Sequence, residues 1–174
     1  MRYAIVYSSR TGNTAQLAQA VKEACPGESC VYFGDAASAP AQAKEAPFLF
    51  VGFWTDRGSC DTQTAQFLKG LTGRSLFLFG SAGYGAEEAY YARILEAVRQ
   101  HIGPSNRLAG TFMCQGRMSA AVRQKYEKML EEEPQAEQIR RMIENYDRSA
   151  THPDAGDLDR LRVSVRKALA EAKQ

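Results

Sequence analysis

The run Phe48-Leu49-Phe50-Val51-Gly52-Phe53-Trp54 is apolar from end to end, and no other stretch narrows the fold as far. A strand with one wet face alternates apolar and polar residues, whereas so uniform a run is buried on both faces, as in the middle of a parallel sheet with helices on either side. The rest of the chain agrees. Arg2 to Ser8 is another apolar run, rich in Tyr, Ile and Val, that stops at a cluster of Ser, Thr, Gly and Asn. Ser29 to Phe33, Ser75 to Phe79 and Leu108 to Cys114 complete the set of strand candidates. Between them, Leu17, Ala18, Val21 and Ala24 recur at helical spacing before Pro26-Gly27 closes the segment. Phe67, Leu68 and Leu71 mark a helix over about 62–71, and Tyr91, Ile94, Leu95, Val98 and Ile102 one over about 87–102. Segment 35–46, rich in Ala and broken by Pro40, reads as a loop or a short helix. Five strands alternating with helices predict parallel crossovers, hence an α/β fold with a doubly wound sheet.

Beyond Cys114 the pattern turns wholly helical. Val122, Tyr126, Met129 and Leu130 form one stripe, Ile139, Met142, Ile143 and Tyr146 a second, Leu158, Leu161, Val165 and Leu169 a third. Pro134 and the His152-Pro153-Asp154 turn separate them, Asp154 or Asp157 is available as an N-cap, and Glu131-Glu132-Glu133 reads as a solvated helix end. A length of 174 residues suits one domain, with a core over 1–114 and a helical extension over 115–174 packed on the sheet or beside its edge. A formal charge of +2 gives no electrostatic case for nucleic acid or a membrane surface. No stretch approaches the ~18–20 apolar residues that span a bilayer, and the start lacks a secretory pattern, so a cytoplasmic protein is expected. Cys25, Cys30, Cys60 and Cys114 show no metal-ligand spacing and read as free thiols, a Cys25–Cys30 disulfide being the alternative.

In open α/β sheets, ligands sit beyond the carboxyl ends of the strands at the topological switch point. Three loops there carry candidate chemistry. Ser8-Ser9-Arg10-Thr11-Gly12-Asn13-Thr14 sets hydroxyls, a carboxamide and a glycine where a helix begins. Unpaired amides and the positive end of the helix dipole favour a phosphate there, although the same residues suit plain helix capping. The loop lacks the Gly-Lys-Ser/Thr of a nucleoside triphosphate cradle and the G-x-G-x-x-G dinucleotide pattern. The second loop presents Trp54, Thr55, Asp56, Arg57 and Gly58, with an indole suited either to stacking on a planar heterocycle or to covering the core. The third, Gly80-Ser81-Ala82-Gly83-Tyr84-Gly85, offers backbone amides and one aromatic side chain. Their convergence on one sheet edge describes a site for a planar ring bearing a phosphate.

The stretch Ser9-Arg10-Thr11-Gly12-Asn13-Thr14 resembles the flavodoxin phosphate-loop signature Thr/Ser-x-Thr-Gly-x-Thr at every defined position. Residues 52–58 and 79–83 fall where that family keeps its flavin-ring loops. The resemblance covers about 1–114 and implies a five-stranded sheet of order 2-1-3-4-5 with noncovalent FMN. It implies that Ser9, Arg10, Thr11, Gly12, Asn13 and Thr14 hold the phosphate. Phe53, Trp54, Thr55, Asp56, Arg57 and Gly58 would flank the ring on one side, and Ser81, Ala82, Gly83, Tyr84 and Gly85 on the other. Tyr84 would cover a ring face, and a carbonyl near Gly58 would accept a hydrogen bond from the flavin N5–H of the one-electron state. The His152-Pro153-Asp154 ending resembles those of flavodoxin-family proteins of anaerobic bacteria, among them one that accompanies a bilirubin reductase.

The function so implied is electron transfer to a partner protein, a reductase. The near-neutral charge departs from the acidic balance of the family's shuttles and changes the partner surface that would steer docking. Arg10 and Arg57, if close to the ring, would favour its anionic reduced form. An FMN-dependent NAD(P)H:acceptor oxidoreductase of the quinone-reducing type is the alternative, although the chain has no separate nicotinamide motif. A phosphoacceptor module is disfavoured, because the first strand ends in Ser8-Ser9 instead of an acidic pair, and Cys114-Gln115 offers no Lys.

Overall fold

The computed structural model describes residues 1–25, 29–85 and 87–172. The Pro26-Gly27 stop lies outside them. Elements follow in the order β1 (Arg2–Tyr7), α1 (Asn13–Glu23), β2 (Ser29–Asp35), α2 (Ala41–Lys44), β3 (Phe48–Asp56), β4 (Ser59–Cys60), α3 (Thr62–Lys69), β5 (Ser75–Ala82), α4 (Glu88–Arg99), β6 (Arg107–Gln115), α5 (Ala120–Glu132), α6 (Glu137–Ser149) and α7 (Ala155–Ala172). The main strands are all parallel in the order β2-β1-β3-β5-β6, which is 2-1-3-4-5 when β4 is left out. β4 is an addition to the sequence reading. It pairs antiparallel with the end of β3, Thr55 opposite Cys60 and Asp56 opposite Ser59. The two residues between them, Arg57 and Gly58, both have positive φ, 48° and 83°. That is the dihedral requirement of the tight two-residue turn whose twist matches paired strands, and glycine meets it without strain.

The uniform apolar run of β3 is explained by what lies above and below it. Phe48 and Phe50 share one cluster with Tyr3, Ile5, Phe77 and Phe79 and with Leu17, Val21, Leu161 and Val165 of α1 and α7. Leu49, Val51 and Phe53 point into a second cluster with Leu76, Leu78, Phe67, Leu68, Ile94 and Val98, beneath α3 and α4. Successive side chains of a strand face opposite ways, so both alternating sets must be apolar.

The helical tail divides into two parts. α7 packs on the sheet beside α1, with Leu161 and Val165 fully buried, so the packing of the sheet does not stop at Cys114. Its start is fixed by a reciprocal cap in which Asp154 Oδ1 accepts from Asp157 N (2.8 Å) and Asp157 Oδ2 accepts from Asp154 N (3.0 Å). α5 and α6 pack on each other and interrupt the passage from β6 to α7. Glu131, Glu132 and Glu133 are exposed at the end of α5. Among the described residues no helix is long and apolar enough to cross a membrane.

Candidate functional site

β1 lies between β2 and β3, so the crossovers leave it in opposite directions and a crevice opens at the carboxyl edge between β1 and β3. The first loop turns into α1 through Gly12, the N-cap residue, at φ 88° and ψ −11°. Having no side chain, Gly12 contributes no cap of its own. The Ser9 hydroxyl accepts from Ala15 N at 3.2 Å, and the Asn13 amide donates to Thr11 Oγ1 at 3.0 Å. No acidic residue occupies the first turn of α1, which leaves the positive end of its dipole uncompensated by a carboxylate there.

Two polar atoms in this turn are buried without a hydrogen-bond partner, Thr14 Oγ1 and Asn13 Oδ1. Thr14 is 1% exposed, and an unsatisfied buried polar group costs about 1–3 kcal/mol. A phosphate bound at the helix start would give that hydroxyl an acceptor, so the donors present fit an anionic phosphate monoester.

Arg10, Thr11 and Asn13 line a cavity of about 480 Å³ together with Trp54 and Thr55 from the end of β3 and Ser81, Ala82 and Gly83 from the end of β5. The Thr55 hydroxyl donates to Ser81 O at 2.9 Å, which fixes the second wall to the third. Arg10 carries its guanidinium over the Trp54 ring, 5.2 Å from its centre.

The remaining wall was not anticipated. Gly116, Arg117, Met118, Ser119 and Val122, leading from β6 into α5, close the cavity opposite Trp54's loop. Asn13 Nδ2 donates to Arg117 O at 2.9 Å. A Cβ on Gly116 would stand 2.6 Å from Asn13 Nδ2 and 3.0 Å from Ser81 Cβ, so only glycine lets these three segments meet. The available signal was positional: Gln115 ends a strand at the same edge as Tyr7, Asp56 and Ala82.

Other expected residues lie elsewhere. Phe53 is fully buried in the core, its ring filling the space where a Cβ on Gly80 would sit, because its position in β3 faces α3 and α4. Asp56, Arg57 and Gly58 form the hairpin tip beside the cavity and do not line it. Tyr84 and Gly85 face a neighbouring cavity of about 510 Å³, bounded by Glu87, Tyr90 and Arg93 on one side and by Gln138, Arg141, Met142, Asn145 and Arg148 of α6 on the other. Tyr84 therefore does not cover the first cavity. The loop is held by buried amides: Gly83 O accepts from Gln115 Nε2 at 2.9 Å and Asn145 Nδ2 at 3.1 Å.

Cys30, Cys60 and Cys114 are free thiols. Burial, with the charge of Asp61 as a lesser cause, pushes the Cys60 thiol up to about 11, and burial raises Cys114 further. Both stay protonated and weakly nucleophilic at neutral pH. Tyr126 is pushed up to about 12 by burial and by its hydrogen bond with Tyr84.

A doubly wound sheet whose first loop carries unpartnered buried polar atoms and whose β3 ends in an indole presents, at its switch point, groups suited to a planar ring bearing a phosphate. The family model of the flavodoxin domain matches residues 4–166, and the chain belongs to that family: it is a flavoprotein of electron transport whose cofactor is FMN. It is 42% identical over 173 residues to the flavodoxin-like domain-containing protein BilS of Clostridium symbiosum, covering 91% of this chain and 90% of that protein. It is 28% identical to BilS of Clostridioides difficile, covering 99% and 98%. Among solved structures, a flavodoxin of Streptococcus pneumonia shares the fold with a TM-score of 0.60 at 16% identity, covering 98% of this chain and 99% of that one.

Proposed function

We propose that this FMN protein is a cytoplasmic electron carrier that passes reducing equivalents to a partner reductase. The observation that carries the reading is an uncompensated helix start, with the buried unpartnered Thr14 hydroxyl in its first turn, beside a cavity lined by Thr11, Asn13 and the chain's only tryptophan. Bound FMN supplies both one-electron and two-electron chemistry. The chain's own residues hold and tune it. Hydroxyls of Ser9, Thr11 and Thr14 and the first amides of α1 bind the phosphate. Trp54 supplies a stacking face, and the backbone of Ser81, Ala82 and Gly83 lines the ring. The β6–α5 segment closes the remaining side. Arg10 and Arg117 bring positive charge to the cavity, which favours the reduced anionic ring and makes a milder reductant.

The test is the visible spectrum of freshly purified protein, with the released small molecule weighed, followed by NADH and NADPH oxidation assays. A carrier oxidises neither alone and turns over only with a separate reductase as donor. The first acceptor to assay is a bilirubin reductase, the association that the His152-Pro153-Asp154 ending brings with it. Steady oxidation of either nicotinamide by the protein alone would make it an oxidoreductase instead.

A further inference from the structure

The two cavities meet along one loop, Gly83 lining the first and Tyr84 the second. Their walls carry five arginines, Arg10 and Arg117 in the first and Arg93, Arg141 and Arg148 in the second, against a single carboxylate, Glu87. The whole chain carries only +2, so this edge is strongly positive at the expense of other surfaces. Among the described residues, Arg10, Arg93, Arg117 and Arg148 have no carboxylate within 4.0 Å, and only Arg141 has one, Glu137 at 3.6 Å. At the junction stands Tyr84, 41% exposed and one of three large hydrophobic residues on the described surface, braced edge-on by Tyr90 at 6.5 Å.

An exposed, braced aromatic ring among unpaired arginines has the composition of an interface hot spot. Unpaired cations around a mouth focus a positive field outward and raise encounter rates with negative surfaces. We propose that the arginine-rimmed edge around Tyr84 is the docking surface for a redox partner protein that presents an acidic face. This rests on the electron-carrier reading and deepens it by stating the chemistry of the partner's contact surface. A protein, not a small anion, is the occupant, because the charges are spread over two adjoining openings and Tyr84, at the edge of the second, is exposed enough for an extended surface to cover it.

The test uses full-length protein loaded with FMN, reduced anaerobically and mixed by stopped flow with two one-electron acceptor proteins, plastocyanin with its acidic face and basic cytochrome c. Each two-electron-reduced flavin returns to the oxidised form by giving one electron to each of two Cu(II) or Fe(III) centres, its protons passing to water. The expected second-order rate with plastocyanin falls about tenfold between 10 mM and 150 mM salt as screening shortens from ~30 Å to ~8 Å. The rate with cytochrome c is flat or rises. The double variant Arg93→Glu, Arg148→Glu lowers the plastocyanin rate at 10 mM salt about tenfold while its FMN spectrum, FMN affinity and reduction potential stay as in the parent. A salt-independent plastocyanin rate, a variant with the parent's rate, or a preference for cytochrome c overturns the proposal. So does binding of phosphatidylserine vesicles through these arginines without steering of plastocyanin, which would make the edge a lipid surface. Protein that takes up no FMN overturns the carrier reading and this inference together; the other failures leave the carrier reading standing.

Discussion

The guanidinium of Arg10 rests over the indole of Trp54, so the single tryptophan of the chain meets the cavity with one face already covered by a cation. Such a contact contributes about 0.5–1 kcal/mol at an exposed site, small beside what stacking and burial of a flavin ring add. Trp54→Ala is expected to weaken FMN binding about 10–100-fold and Trp54→Phe less than tenfold, measured by titrating flavin fluorescence. In the parent, tryptophan emission falls in step with FMN uptake. An alanine variant that binds as tightly as the parent would remove the indole from the site.

Thr14 offers a cleaner separation of folding from binding. Its hydroxyl is buried and unpaired in the FMN-free chain, so Thr14→Val is expected to leave the melting temperature unchanged or raise it. FMN affinity drops about tenfold or more, as expected when a hydrogen bond to a charged group worth about 1.5–3 kcal/mol is lost. Riboflavin, which has no phosphate, serves as the control. Calorimetry that finds the same loss for riboflavin would place the hydroxyl's role away from the phosphate.

Gly83 is held by two side-chain amides from opposite directions, Gln115 on β6 and Asn145 on α6. Asn145 is 4% exposed, and Asn145→Ala strips a hydrogen bond from a buried carbonyl and leaves Gln115 with one acceptor fewer. A loss of about 1–3 kcal/mol in urea unfolding is expected. Unchanged stability would mean that α6 does not secure the loop.

The raised Cys60 thiol fixes the sign of the alkaline stability limb. The folded chain holds the proton up to about pH 11, whereas an ordinary thiol releases it near 9.0. Between those values the native state binds more protons than the unfolded one, so stability falls as pH rises. Tyr126, displaced upward from 10.0 to about 12, adds to the same limb at higher pH. Thermal melts from pH 8 to 11 are expected to show a declining midpoint, with a shallower decline in Cys60→Ala. An identical slope in that variant would assign the limb to other groups.

The sheet was legible in the sequence because it rests on patterns that tertiary context reinforces. β3 must be apolar on both sides, and α1, α4 and α7 present stripes whose members Val21, Ile94, Val98 and Val165 are fully buried or nearly so. The turn into α1 was legible for a similar reason: hydroxyls, a glycine and a helix start fall within six consecutive residues. Tyr84 was misplaced because its loop position was visible while its direction depends on α6, over fifty residues later in the chain. Gly116 to Val122 escaped notice because Gly, Arg, Met, Ser and Val in that order form no ligand-binding pattern, and only the fold brings them to the cavity. Phe53 shows the limit of reading by loop: one residue from Trp54, it faces the opposite side of the sheet.

Gly116 joins what a ligand would otherwise encounter as separate ends. Asn13 belongs to the first loop and Ser81 to the end of β5, and both crowd the point where a Cβ on Gly116 would stand. A rigid joint of this kind holds the two loops in register ahead of any ligand, so a bound molecule that touches both does not have to organise them.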